Sequence, residues 1–129
     1  MSYAKDTAVT ERETQADIRR LLTAHEASEV TVGLNQSGDG VVKFTAASRY
    51  GGRAVRMLLR LPVAPRERNR LWRVQLLLLK AKLEAAESGV SRFEDEFLAF
   101  LSMPSGRSVA EFMAPKLQDA WMLTQGVTR

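Results

Sequence analysis

The stretch Val41-Val-Lys-Phe-Thr-Ala46, followed after Tyr50-Gly-Gly52 by Val55-Arg-Met-Leu-Leu-Arg-Leu61, decides the fold of this chain. Its side chains alternate. Val42, Phe44 and Ala46 fall on one side of an extended backbone, opposite Val41, Lys43 and Thr45. Val55, Met57, Leu59 and Leu61 oppose Arg56, Leu58 and Arg60 in the same way. A period of two is that of a strand with one face buried. Tyr50-Gly51-Gly52 supplies the turn between them, because glycine reaches positive φ without a steric penalty. Upstream, Val30 and Val32 alternate likewise, and Asn35-Gln-Ser-Gly-Asp-Gly40 is dense in turn formers. Together these segments predict a three-stranded antiparallel meander, apolar on one face and partly basic on the other, stopped by Pro62 and Pro65.

Outside the meander the period lengthens to that of helices. Thr10 and Thr14 are each followed three residues later by an acid, a helix-start signal. Starting at Thr14 puts Ile18, Leu21, Leu22 and His25 on one stripe, so a helix is expected from about Thr14 to Ala27, with residues 1–13 as a flexible arm. A long helix is expected from about Arg66 to Ser88, with Gly89 as its stop. At 100° per residue it carries two apolar stripes, Leu71, Val74, Leu78, Ala81 and Ala85 on one side and Trp72, Leu76, Leu79, Leu83 and Ala86 on the other. Such a helix should be sandwiched between the sheet and a second layer, either the C-terminal helices or a second subunit.

Two further helices complete the reading. Ser91-Arg-Phe-Glu94 has the form of a capping box and opens a helix over 92–101 that carries Phe93, Phe97, Leu98, Phe100 and Leu101. Met103-Pro-Ser-Gly106 ends it. Ser108-Val-Ala-Glu111 opens another helix to about Thr124, with Gly126 beyond, Pro115 as a kink or restart, and Phe112, Met113, Leu117, Ala120 and Trp121 as its packing residues. The expected architecture is α+β, a single domain over 1–129.

Composition narrows the chemistry. In 129 residues there is no cysteine and one histidine, His25, which excludes disulfide scaffolds, thiol nucleophiles, thiolate zinc sites and multi-histidine metal sites. The net charge of +4 conceals a polarised molecule. Residues 43–82 hold 11 Lys and Arg against the single acid Glu67, while the other 89 residues hold 8 bases and 14 acids. A field of that kind favours an anionic partner. The polar N-terminus has no apolar segment like that of a secretory signal, and uninterrupted apolar runs such as Leu76–Leu79 are far too short to span a membrane, so a cytoplasmic protein without a membrane span is expected.

Several blocks carry a resemblance. Lys80-Ala-Lys-Leu-Glu-Ala-Ala-Glu-Ser-Gly89, Phe93-Glu-Asp-Glu-Phe-Leu-Ala99, Pro104-Ser-Gly-Arg-Ser-Val109 and Glu111-Phe-Met-Ala-Pro115, with Thr14-Gln-Ala-Asp-Ile18 and Leu21-Leu22, resemble a group of short uncharacterised proteins encoded in tailed phages and prophages. Members of that group carry a longer segment between the third strand and the long helix. The resemblance implies a phage origin and transfers no reaction and no catalytic residue.

Enzyme signals are weak. No GxxxxGK and no GxGxxG follows a strand. His25 has no evident nucleophile to serve and reads as a helix residue. Glu94-Asp95-Glu96 suits the opening turn of a helix, where acids favour the positive end of the dipole, better than a cation site. The last two helices mimic a helix-turn-helix, but the second carries just Glu111, Lys116 and Asp119 as charges, too few bases for a recognition helix. What remains is a surface suited to the phosphate backbone of DNA or RNA, with Lys43, Arg49, Tyr50, Arg53, Arg56, Arg60, Arg66, Arg70 and Arg73 as its candidate residues. An acidic protein is the alternative partner. The surplus of apolar residues in the helices points to a homodimer, and no metal, cofactor or catalytic residue is assigned.

Overall fold

The alternation does what it predicts. In the computed structural model, which describes residues 3–125 and side chains from Thr10 onward, β1 (Ser28–Leu34), β2 (Gly40–Thr45) and β3 (Ala54–Leu59) form one antiparallel sheet in the order β1-β2-β3. Lys43 stands opposite Thr31 on one side and Arg56 on the other, and Phe44 stands opposite Val55. Val32, Val42, Phe44, Val55 and Met57 are all buried on the inner face. In the first turn the Asn35 side chain accepts hydrogen bonds from the backbone N–H groups of Ser37 and Asp39, at 2.9 and 3.0 Å. That side chain stands in for a backbone turn, the reason asparagine is favoured at such a position.

The helices cover the inner face. The first, α1 (Tyr3–Ala24), begins ahead of the expected Thr14, and His25 lies just past its end. Part of the expected arm, residues 1–2 and the side chains of 3–9, lies outside the described residues, as does Gly126, the expected stop of the last helix. The long helix α2 (Pro65–Ser88) ends as expected, at Gly89 in the left-handed region with φ 84°. It crosses the sheet lengthwise. Trp72, near its start, packs against Gly40, while Glu87 in its last turn reaches Arg49 just beyond the other end of β2. Ile18 and Leu22 of α1 join Trp72, Leu79 and Leu83 of α2 and the inner sheet face in one core.

Three expectations need correction. The sandwich around α2 does not form among the described residues: Trp72, Gln75, Leu79 and Leu83 are buried, but Val74 and Leu78 on the second stripe are exposed. The expected helix over 92–101 is a short α3 (Phe93–Phe97) followed by a 3₁₀ turn at Leu98–Phe100. Its capping box is absent because Arg92, not Ser91, is the N-cap, and the Ser91 hydroxyl instead donates to the Glu96 carboxylate at 2.6 Å. Finally, α4 (Val109–Thr124) runs as one helix through Pro115, without a restart, and none of its residues is buried. The second capping box is present: the Ser108 side chain accepts from the Glu111 N–H, and Glu111 accepts from the Ser108 N–H. Between α3 and α4 the chain touches the sheet, with Leu101 bridging to Val55 and Ser102 N–H donating to the Ala54 carbonyl.

One polar contact ties the two long helices. Glu11 of α1 accepts from Trp72 Nε1 at 3.1 Å and pairs with Arg68 at 3.2 Å, and both members of that ion pair are largely buried. Trp72 itself has no exposed surface, so its indole N–H has no access to water. Replacing Glu11 by alanine strands that donor and the Arg68 charge, and should cost about 1–3 kcal/mol of folding stability in chemical denaturation. Gly40→Ala should cost about as much, because the new Cβ would meet Trp72 Cζ2 at 2.9 Å and Leu59 Cβ at 3.2 Å. Gly33→Ala, whose Cβ has nothing within 4 Å, is the neutral control.

Candidate nucleic-acid interface

The candidate residues fall in three places. The first is the end of the sheet where Thr45 pairs with Ala54. There Arg49 sits on a 3₁₀ turn, paired with Glu26 and 3.8 Å from Glu87. The Tyr50 ring stacks on Phe93, with centroids 4.9 Å apart, and the Arg49 guanidinium lies 4.8 Å from the same ring. Arg53 is 3.8 Å from Glu94. His25 joins this cluster through Glu87, whose carboxylate is 2.8 Å from Nδ1. These bases are therefore largely answered by acids from the ends of α1, α2 and α3, and the tyrosine ring is engaged within the protein.

The second place is the outer face of the sheet. Lys43 and Arg56 are cross-strand neighbours there, a like-charge juxtaposition that needs relief. Arg56 finds it at 2.7 Å in Glu111, from the first turn of α4. Glu111 is thus held from two directions. Its carboxyl lies below the usual glutamate range, first because it accepts the Ser108 backbone N–H at 2.9 Å, and also because Arg56 is close.

The third place is α2. At 100° per residue Arg66, Arg70, Arg73, Leu77 and Lys80 fall on the side opposite the buried Trp72, Leu79 and Leu83. All five are exposed. The stripe faces away from the sheet, so it lies on the other side of the body from Lys43 and Arg56. Arg60, just past β3, is exposed at the end where α2 begins. Arg66 and Glu87 are on the order of 30 Å apart along the helix, so the α2 stripe starts far from the Arg49 cluster.

The charge block thus sorts into structural and exposed members. Arg68 is committed to Glu11, and Lys82 donates to the Glu96 carbonyl at 2.7 Å while lying 5.8 Å from the Phe97 ring. Arg70 pairs with Glu67 at 3.0 Å on its own helix, which holds the Glu67 carboxyl below its ordinary range. Among the described residues, Lys43, Arg60, Arg73 and Lys80 are exposed with no carboxylate at ion-pair distance. Lys80 was not among the candidate residues, although its helical spacing from Arg66 and Arg73 already placed it on their stripe. Trp72, on the inner face of the same helix, is core.

The three consecutive acids of α3 do not converge. Glu94, Asp95 and Glu96 diverge, toward Arg53, Arg92 and the Ser91–Lys82 pair respectively. Among the described residues no three His, Asp or Glu side chains form a group able to hold a metal ion, and no helix is long and apolar enough to cross a membrane. Comparison of the chain with protein families, curated proteins and solved structures gives no match in any of the three.

The Glu111 contacts predict a pH effect confined to α4. A carboxyl whose pKa is depressed by folding contributes stability that is fully present above its unfolded pKa, about 4.5 for glutamate, and is lost as pH falls through the lower folded value. Hydrogen-exchange protection of the α4 amides, corrected for intrinsic rates, should fall as the pH is lowered from 6 to 3. Glu111→Gln should lower protection at pH 6 and flatten that dependence. Equal pH profiles in the two proteins would remove Glu111 as the cause.

Proposed function

We propose that the protein is a non-enzymatic nucleic-acid-binding accessory protein of phage type that grips the phosphate backbone with the outer stripe of α2. The observation that carries this reading is the exposure of Arg66, Arg70, Arg73 and Lys80 along one helix face, pointing away from the core, with Arg60 at its start. Helical rise spreads Arg66 to Lys80 over about 21 Å. Phosphates on one strand of a duplex recur every 3.4 Å along its axis, so the stripe faces several of them at once. Guanidinium groups recognise phosphate bidentately and do not need a particular base, so the binding is independent of sequence. Lys43 and Arg56 lie on the far side of the sheet and contribute long-range attraction at most. Arg49, Tyr50 and Arg53, which contact Glu26, Phe93 and Glu94, lie outside this stripe, at the other end of α2 from Arg66.

A second reading has one observation in its favour. Leu77 lies within the stripe and is 65% exposed, and Val74 and Leu78 beside it are exposed too. A phosphate backbone has no use for these side chains, whereas an acidic protein with an apolar centre does. The two readings separate on Leu77. Leu77→Ser should leave nucleic-acid binding unchanged and weaken a protein partner captured from nuclease-treated lysate.

The decisive measurement is a mobility shift on single- and double-stranded DNA and on RNA at 50 and 200 mM salt. Binding should fall steeply with salt, and the Arg70→Glu, Arg73→Glu, Lys80→Glu triple variant should lose it. In fluorescence anisotropy, removing three phosphate contacts should flatten the slope of log affinity against log salt by about 2 to 3. All three positions are exposed, so circular dichroism of the variant should match the parent. A parent protein that shows no shift at 50 mM salt, or a variant that binds as well as the parent, would overturn the proposal.

A further inference from the structure

Among the described residues, α4 leaves four large apolar side chains exposed: Leu117, Trp121, Met122 and Leu123. With 16 residues it carries Glu111, Lys116 and Asp119 as its charges, yet none of its side chains is buried. One face is ordered. Ala110, Met113, Leu117 and Ala120 recur at intervals of three and four and Thr124 extends the series, with Ala114 and Trp121 beside them; the three charged residues lie off this stripe, and Phe112, Met122 and Leu123 fall on other faces. That is the spacing of a helix that packs along a second helix. The N-terminal half of the stripe forms one wall of an open groove of about 630 Å³ whose other wall includes Leu98 and Phe100. The C-terminal half projects, with Leu117 and Trp121 each 61% exposed.

We infer that α4 is a dimerisation helix that packs antiparallel on α4 of a second copy of this chain, with Leu117 at the two-fold axis. The argument is self-complementarity. A helix with a grooved half and a projecting half matches its own reverse, and an isologous contact needs that property. With Leu117 on the axis, Trp121 of each copy meets Met113 of the other, at the mouth of the groove, and Ala114 meets Ala120. Alanines at the crossing let the axes approach closely, and the thioether beside the indole is a favourable contact. Area supports a second copy as the occupant. The stripe together with Leu98 and Phe100 offers on the order of 500 Å² per copy, so two copies reach the roughly 1,000 Å² at which specific interfaces begin. The other exposed apolar group, Val74, Leu77 and Leu78 on α2, is interrupted by Arg70, Arg73 and Lys80, whose charges would repel their own copies across a two-fold axis. The inference is independent of any nucleic acid.

Sedimentation equilibrium of the full chain, free of nucleic acid, should show a monomer–dimer equilibrium in the micromolar range. Leu117→Glu with Trp121→Glu should weaken it at least 100-fold while leaving the circular dichroism and Tm unchanged, since neither side chain is part of the core. The chain has no cysteine of its own, so single cysteines report the geometry. Leu117→Cys should cross-link to itself under mild oxidation, because the axis brings its two copies together. Thr124→Cys alone should not, since its copies are about 21 Å apart along the helices, but a mixture of Ala110→Cys and Thr124→Cys chains should. A monomer at several hundred micromolar, a dimer that survives the double glutamate variant, or efficient self-linking at Thr124→Cys would overturn the inference. If the double variant fails to fold, the cross-linking pattern decides by itself.

Discussion

The position of Trp72 against Gly40 is the contact on which the rest of the structure depends. The indole is fully buried, and the glycine is what admits it, since a Cβ there would come within 2.9 Å of the ring. An aromatic side chain of this size, locked between the start of β2 and α1, fixes how α2 is rotated about its own axis. Glu11 fixes the same rotation from the other side by accepting the indole N–H. Once that rotation is set, every other side chain of α2 has its direction assigned. Leu79 and Leu83 go into the core, Gln75 lies against Met57, and Arg66, Arg70, Arg73 and Lys80 are turned to solvent. The exposed basic stripe is thus a consequence of core packing, not a separate construction.

The same geometry disposes of much of the basic charge. The excess of bases over residues 43–82 is partly offset by acids from the rest of the chain, and the fold brings many of the two together. Glu11 answers Arg68, Glu26 answers Arg49, Glu94 answers Arg53, Glu96 answers Lys82 and Glu111 answers Arg56. Each of these pairs joins segments distant in sequence. Where both partners are largely buried, as with Glu11 and Arg68, the pair belongs to the interior, and removing one member is worse than never having had either. Where both are exposed, as with Arg53 and Glu94, it adds little stability. Polarity along the sequence is therefore partly an assembly code for the fold. What is left over lies mainly on α2.

The meander was legible because its signal is local. Alternation at Val42-Lys-Phe-Thr-Ala46 and Val55-Arg-Met-Leu-Leu59 names the buried face with no knowledge of what covers it, and the turn residues name the connections. The end of α2 was legible for the same reason, through Gly89. Less of the C-terminal third could be read. Ser91 fits a capping box by spacing, but its hydroxyl has a better partner in Glu96, and no pattern of spacing distinguishes the two. The two-sided apolar character of α2 predicts a sandwich only if a second layer is present, and that depends on tertiary contacts that local spacing does not encode. Among the candidate residues, helical spacing groups Arg66, Arg70 and Arg73 on one face of α2, and that face is exposed. It could not foresee that the sheet separates Lys43 and Arg56 from that stripe, or that Tyr50 would spend its ring on Phe93.

The uncovered state of α4 follows from how little core the chain needs. Among the described residues every buried apolar side chain lies between Ile18 and Leu101, so the core is essentially complete before α4 begins. The helix is attached through Glu111 on Arg56, the Ser108 capping box and contacts with the Leu98–Phe100 turn, all at its N-terminal end. A segment that adds only Val109 to the edge of the core and still keeps leucine, methionine and tryptophan exposed carries a solubility liability for little gain in folding. Two such faces relieve that liability when they cover one another. The α2 stripe faces away from the sheet, whereas α4 starts beside Arg56 on the sheet's outer face. Pairing through α4, as proposed, would leave the basic helix of each copy open, and two weak backbone contacts joined in one particle would raise the effective concentration of the second. On these two proposals the apolar helix would set how many basic helices act together.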